Sequence, residues 1–152
     1  MSFEVIERLD GPPAECLGGL IAESEQYGLR FVRRLADDWA SGANRFDRPG
    51  EVLYVARVAG RIVGVCGLNV DPYATSPSVG RVRHLYVLAG YRRLGIGRQL
   101  VTEIMKAGRA CFDTLRLRTE NPAAAQLYEG LGFRWRVDVQ HCTHVMEWGR
   151  AG

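Results

Sequence analysis

The apolar and polar positions of this chain change period several times, and each change marks an element. Phe3 to Leu9 reads as a strand and stops at Gly11-Pro12-Pro13, where the prolines remove backbone donors. Ala14 to Tyr27 sets Leu17, Leu20 and Ile21 at helical spacing, weakened by Gly18-Gly19 and ended by Gly28. A second amphipathic helix follows. Phe31, Val32, Leu35 and Trp39 share one side of it, Arg33, Arg34, Asp37 and Asp38 fall largely on the other, and Ser41-Gly42 closes it.

The period then shortens to that of strands. Val52 to Val58 is β-branched and apolar, and Ala59-Gly60 makes a tight turn into Arg61 to Val70. A loop rich in turn residues, Asp71 to Ser78, leads to a strand over Val79 to Leu88. Ala89-Gly90 bends the chain, and Ile96 to Ala110 forms a long helix with Leu100, Val101, Ile104 and Met105 inward. Thr114 to Thr119 is a strand. Asn121-Pro122 opens a helix over Ala123 to Leu131, because Asn is a favoured cap and proline suits the first helical position, and Gly132 ends it. Phe133 to Val139 and Thr143 to Trp148 are the last strands. The order implies a mixed α/β (α+β) domain over 1-152: about seven strands in a mixed sheet covered by about four helices.

Composition narrows the class. The chain has 152 residues, 47% hydrophobic and 24% charged, as expected of one globular domain. Its net charge of +3 is too small to suggest a general nucleic-acid partner. Met1 to Asp10 carries Glu4, Glu7 and Asp10 and does not read as a signal peptide; no run is long and apolar enough for a bilayer, so the default expectation is cytoplasmic, with no membrane partner. Cys16, Cys66, Cys111 and Cys142 form no CxxC pair. Cys66 reads as core. His141, Cys142 and His144 match no standard metal spacing, so no metal is expected.

Candidate chemistry concentrates in Leu85-Tyr86-Val87-Leu88-Ala89-Gly90-Tyr91-Arg92-Arg93-Leu94-Gly95-Ile96-Gly97-Arg98, a strand running through a glycine-bearing loop into a long helix. Amides at a helix start point outward, and the helix dipole adds partial positive charge there, which suits a pyrophosphate. Gly95 and Gly97 allow close backbone approach, and Arg92, Arg93 and Arg98 supply charge. The plain alternative is a tight strand-to-helix connection. The loop lacks the Gly-Lys-Ser/Thr of a Walker loop and the third glycine of a Rossmann fingerprint.

The pattern Arg92-x-x-Gly95-x-Gly97 after Leu85-Tyr86-Val87 resembles the acetyl-CoA loop of the GNAT superfamily of N-acetyltransferases. Asn121-Pro122-Ala123-Ala124-Ala125-Gln126-Leu127-Tyr128-Glu129-Gly130-Leu131-Gly132-Phe133 resembles that family's second motif, in the expected order and one strand further on. The resemblance implies a central, mostly antiparallel GNAT-like sheet and acetyl-CoA as co-substrate. It also implies a small-molecule or peptide amine as acceptor. Backbone groups of Tyr86 and Val87, next to Leu85, would pair with the pantetheine arm like an added strand. Amides from Arg92 to Gly97, Leu94, Gly95 and Ile96 included, would hold the pyrophosphate, and Asn121 would contact the pantetheine.

In that chemistry an amine attacks the thioester, an amide of the Tyr86–Val87 stretch faces the oxyanion, and Tyr128 protonates the departing thiolate. The general base stays open between His84 and Glu120, because the strand lacks the carboxylate many family members carry there. Strict alternation places Arg81, Arg83 and Leu85 on one face and Val82, His84 and Tyr86 on the other. Arg81 and Arg83 read either as solvated strand-edge charge or as recognition of a carboxylate or phosphate on the acceptor. Trp39, Phe46 and Tyr73 read as acceptor contacts, core or dimer contacts, and Trp135, Val139 and Trp148 suggest a homodimer. A non-catalytic acyl-CoA-binding domain is the alternative function.

Overall fold

The computed structural model describes residues 4–148, so Phe3 of the first expected strand lies outside them. The chain runs β1 (Glu4–Arg8), α1 (Pro13–Cys16), α2 (Gly18–Gln26), α3 (Phe31–Ser41), β2 (Val52–Val58), β3 (Arg61–Val70) and β4 (Val79–Val87). A 3-10 turn (Ala89–Tyr91) then leads to α4 (Ile96–Cys111), β5 (Thr114–Leu117), α5 (Pro122–Gly130), β6 (Arg134–Trp135) and β7 (His144–Glu147). One seven-stranded sheet has the order β1-β2-β3-β4-β5-β7-β6. Every neighbouring pair is antiparallel except β4 with β5, which α4 joins as a crossover.

That parallel pair is short. Its register ends at Arg81 opposite Arg116, while β4 runs on to Val87, so the two strands part and leave one edge of β4 open. Two glycines show how the layers cover the sheet. A Cβ on Gly64 would lie 3.0 Å from Leu100 of α4, whereas one on Gly67 would lie 2.6 Å from Phe46, just beyond α3. Three positions apart on one strand, they report opposite faces. α4 therefore packs on one face and the α3 side on the other, around Leu35, Val65, Leu68, Leu100, Ile104 and Leu115, all fully buried.

Three expectations need correction. The single helix over Ala14 to Tyr27 is two, because Leu17 leaves the helical region (φ −102°, ψ 18°) to enter the core, and two costly glycines follow it. The strand expected over Phe133 to Val139 is only Arg134–Trp135. The chain then turns back through His141, at φ 60°, to start β7. The third concerns β4. Val65 pairs with Tyr86 but Gly67 with Arg83, so one residue of β3, Cys66, faces two of β4, His84 and Leu85, and His84 adopts φ 63°. The bulge shifts the pleat by one. Tyr86 joins Arg81 and Arg83 on one face, opposite to Val82, where strict alternation had separated them.

Candidate functional site

Where β4 and β5 part, a cleft of about 1210 Å³ opens between them, α5 and the loop into α4. It gathers residues far apart in sequence. Tyr73, Arg81, Arg83, His84, Leu85, Tyr86 and Val87 line it from the β4 side, and Arg92, Arg93, Gly95, Ile96, Gly97 and Arg98 from the loop. Glu120, Asn121 and Tyr128 close the far wall. Leu94 alone among the loop residues points elsewhere and is exposed. Tyr27, Phe31 and Arg34 reach in from the α2–α3 side.

The two helices that begin at the cleft are finished differently. Asn121 Oδ1 accepts from the amides of Ala123 (2.9 Å) and Ala124 (3.4 Å), so α5 is capped by its own side chain as the Asn-Pro pair predicts. No side chain caps α4. Its entry residue is Gly95 at φ 83°, after Arg93 at φ 64°, and among the described residues nothing beyond its chain neighbours lies within 4 Å of where a Cβ on Gly95 would be. The first-turn amides of a sixteen-residue helix thus open into the cleft with their dipole uncompensated. Gly97 differs: a Cβ there would meet Leu127 at 3.5 Å, an ordinary contact, so packing within the protein does not demand glycine at this position.

Arg92 is not a free cation. Its Nε donates to Val87 O at 2.8 Å, and its guanidinium stands over the rings of Tyr86 (5.3 Å) and Tyr27 (5.9 Å). Beneath it lies Glu23 of α2, which sequence reading missed. Glu23 Oε1 accepts from the Tyr86 hydroxyl at 2.6 Å and from the Ala89 amide at 2.8 Å, with Arg92 at 3.9 Å. The Tyr86 hydrogen bond, seconded by the Ala89 amide and Arg92, holds the Glu23 carboxyl below its ordinary range against partial burial. Burial and this bond push the Tyr86 phenol up. Glu23 therefore rivets α2 to the end of β4. A lone acid on a helix gave no signal of that.

Tyr128 is buried (5% exposed), edge-on to Phe133, and burial raises its phenol well above 10, with Cys66 adding. Its hydroxyl bonds to no described residue, and it lines the cleft as a protonated donor. His84 packs between Phe31 (6.5 Å, stacked) and Phe46 (6.1 Å, edge-on). Burial first, then Arg83, Arg34 and Arg81, push its imidazole down to about 3, so it is uncharged and a poor proton acceptor at neutral pH. Glu120 stands exposed on the rim, 3.2 Å from Arg118.

The remaining candidates separate. Arg81 is 8% exposed: its Nη2 donates to His141 O at 2.8 Å, its Nη1 lies 3.7 Å from Asp71, and it stands over Tyr73 at 4.9 Å. Tyr73 stacks on His141 at 4.2 Å. This clasp ties the Asp71–Ser78 loop to the loop before β7. Phe46 is core, and Trp39 lies under Arg45. His144 pairs with Glu129 at 3.1 Å, and no cluster of metal ligands occurs among the described residues. No helix among them is long and apolar enough to cross a membrane.

Comparison with known proteins identifies the family and the fold. The acetyltransferase (GNAT) domain profile matches residues 49–135. An N-alpha-acetyltransferase of Sulfurisphaera tokodaii is 36% identical over 100 residues, 59% of this chain and 60% of that protein. The N-alpha-acetyltransferase RimI of Mycobacterium tuberculosis is 35% identical over 79 residues, 52% of this chain and 49% of that one. The matches thus span about half to three fifths of these curated relatives. The crystal structure of a proposed acetyltransferase from Exiguobacterium sp. superposes with a TM-score of 0.83 at 29% identity, covering 95% of this chain and 93% of that one.

Proposed function

The chain belongs to the acetyltransferase (GNAT) family, and from that premise we propose that it is an N-acetyltransferase, moving an acetyl group from acetyl-CoA to a primary amine by direct attack in a ternary complex. One observation supports this reading above the others: α4 begins at the cleft without a cap, beside an open edge of β4. The amides from Arg92 to Gly97 bind the pyrophosphate, with Arg93 and Arg98 as exposed cations beside it. The edge of Leu85 to Val87, which pairs with no strand on the β5 side and whose Val87 O is held by Arg92, takes the pantetheine arm as a strand takes a neighbour. Asn121 keeps its side-chain amide nitrogen for that arm, since its oxygen is spent on the α5 cap.

Tyr128 is the general acid. Its buried phenol stays protonated at every physiological pH and has no competing partner among the described residues, so it is free to donate to a leaving thiolate. An amide of the Tyr86–Val87 stretch faces the oxyanion. His84 is too weak a base for the second proton. Glu120 is the cleft carboxylate left to take it, through water.

The test is thiol release from acetyl-CoA with a panel of primary amines, run beside calorimetry with acetyl-CoA alone. Turnover together with binding is the expected result. Binding without turnover across the panel would make the chain a non-catalytic acyl-CoA-binding domain, and neither would remove the reading.

A further inference from the structure

The bulge at His84 has a second consequence, on the face that it re-aims. Arg81, Arg83 and Tyr86 share that face, and Arg116 lies opposite Arg81 in the parallel register, with Arg118 two residues on. Four guanidiniums therefore stand on, or just beyond the end of, adjoining strands. Two have carboxylate partners: Asp71 for Arg81 and Glu120 for Arg118. Arg83 forms no hydrogen bond or ion pair with any described residue. Arg116 Nε and, on the buried Arg81, Nη1 have no hydrogen-bond partner among the described residues. The face carries more positive charge than the protein neutralises.

Arg83 holds a particular place on it. It lines the large cleft and also a second cavity of about 410 Å³, between the end of β3 and the loop after α3, so the two hollows meet at its side chain. The carboxylates of the second cavity are in part already spent. Glu51 accepts from the amides of Arg48 (3.0 Å) and Val70 (2.8 Å), and Asp71 Oδ1 from that of Tyr73 (2.9 Å). Asp38 and Asp47 line the same cavity without reaching Arg83 as ion pairs. His84 is kept uncharged by burial above all, with Arg83, Arg34 and Arg81 adding to it. The positive field of these guanidiniums repels an acceptor whose only charge is its ammonium.

We propose that the acceptor carries a carboxylate close to the amine it presents, and that Arg83 is the residue that reads it. The inference rests on the acetyl-transfer reading and specifies its substrate class. Arg81 is excluded from the role because Asp71 and His141 O already hold it. A guanidinium at the junction of both hollows matches a carboxylate by two parallel hydrogen bonds, fixing the neighbouring amine in line with the cleft. The carboxylate belongs either to an acidic first residue of a peptide or to a free amino acid, and the test has an arm for each.

Wild type and Arg83→Met are assayed with acetyl-CoA on matched acceptors: a peptide beginning with Asp against one beginning with Asn, and a free amino acid against its amide. The ratio of kcat/KM for the carboxylate acceptor over the neutral one exceeds one in wild type, in at least one pair, and falls roughly thirtyfold in the variant, as loss of a charged hydrogen bond implies. Arg83→Lys recovers part of the ratio. A ratio near one in wild type for both pairs, or an unchanged ratio in Arg83→Met, overturns the proposal. Calorimetric titration of N-acetylaspartate and an N-acetylaspartyl peptide keeps the question separate from transfer. Wild type binds at least one of them and Arg83→Met does not, whether or not any acceptor turns over; absent binding to wild type also overturns it. Failure of acetyl-CoA turnover itself falls on the transfer reading alone.

Discussion

Two helices start at the same cleft, and only one of them is closed. α5 begins under Asn121, whose side chain takes two of its free amides; α4 begins at a left-handed glycine with no side chain over its amides. A helix start left unfinished is costly unless water or a ligand finishes it. One terminus therefore serves the fold and the other is open to an anion. The closed helix contributes in a different way on this proposal, through the buried side chain of Tyr128.

The largest test of that division falls on α5. Tyr128→Phe lowers kcat about a thousandfold, roughly 4 kcal/mol of barrier, while calorimetry finds acetyl-CoA bound as in wild type. Next comes α4. Gly95→Asp sets a carboxylate at the open amides in a conformation that Asp tolerates better than most residues; acetyl-CoA affinity falls about a hundredfold, close to 3 kcal/mol, while the thermal midpoint moves little.

Smaller effects separate support from site. Glu23→Gln costs about 1.5 kcal/mol of stability, because the Tyr86 hydroxyl and the Ala89 amide lose a charged acceptor. Its pH dependence has a defined sign. The folded carboxyl lies below its ordinary value of 4.5, so its contribution is fully present above that pH and is lost as pH falls through the folded value. Chemical denaturation across pH 3 to 7 should show the wild-type advantage over Glu23→Gln constant near neutrality and shrinking below about 4.5. Asn121→Ala costs about 1 kcal/mol, measured the same way, as loss of a helix cap does.

The same contrast explains what the sequence disclosed. The open terminus needs glycine at fixed places and a strand before it, all within one stretch from Leu85 to Arg98, so backbone recognition left a local signature. The α5 cap was legible for the same reason, in Asn121-Pro122 and Gly132, which takes φ 105°. Side-chain arrangements left none. One residue inserted in β4 reverses which of its neighbours share a face, yet His84 looks like any strand residue until its partner strand is known. Glu23 meets Tyr86 across 63 positions of chain, and Arg81 meets His141 across 60. Such pairings follow from how the layers pack, which periodicity does not encode. The strand expected over Phe133 to Val139 shortens to β6 because its alternating Trp135 and Val137 are exposed rather than core.

The central claim, that the uncapped start of α4 grips a diphosphate, is tested most directly by titrating acetyl-CoA and S-acetylpantetheine, which lacks the diphosphate, into the wild-type protein in a calorimeter. Acetyl-CoA should bind at least about tenfold more tightly, the worth of one charge-assisted contact or more. Equal affinity for the two, or no heat with acetyl-CoA, would contradict the account.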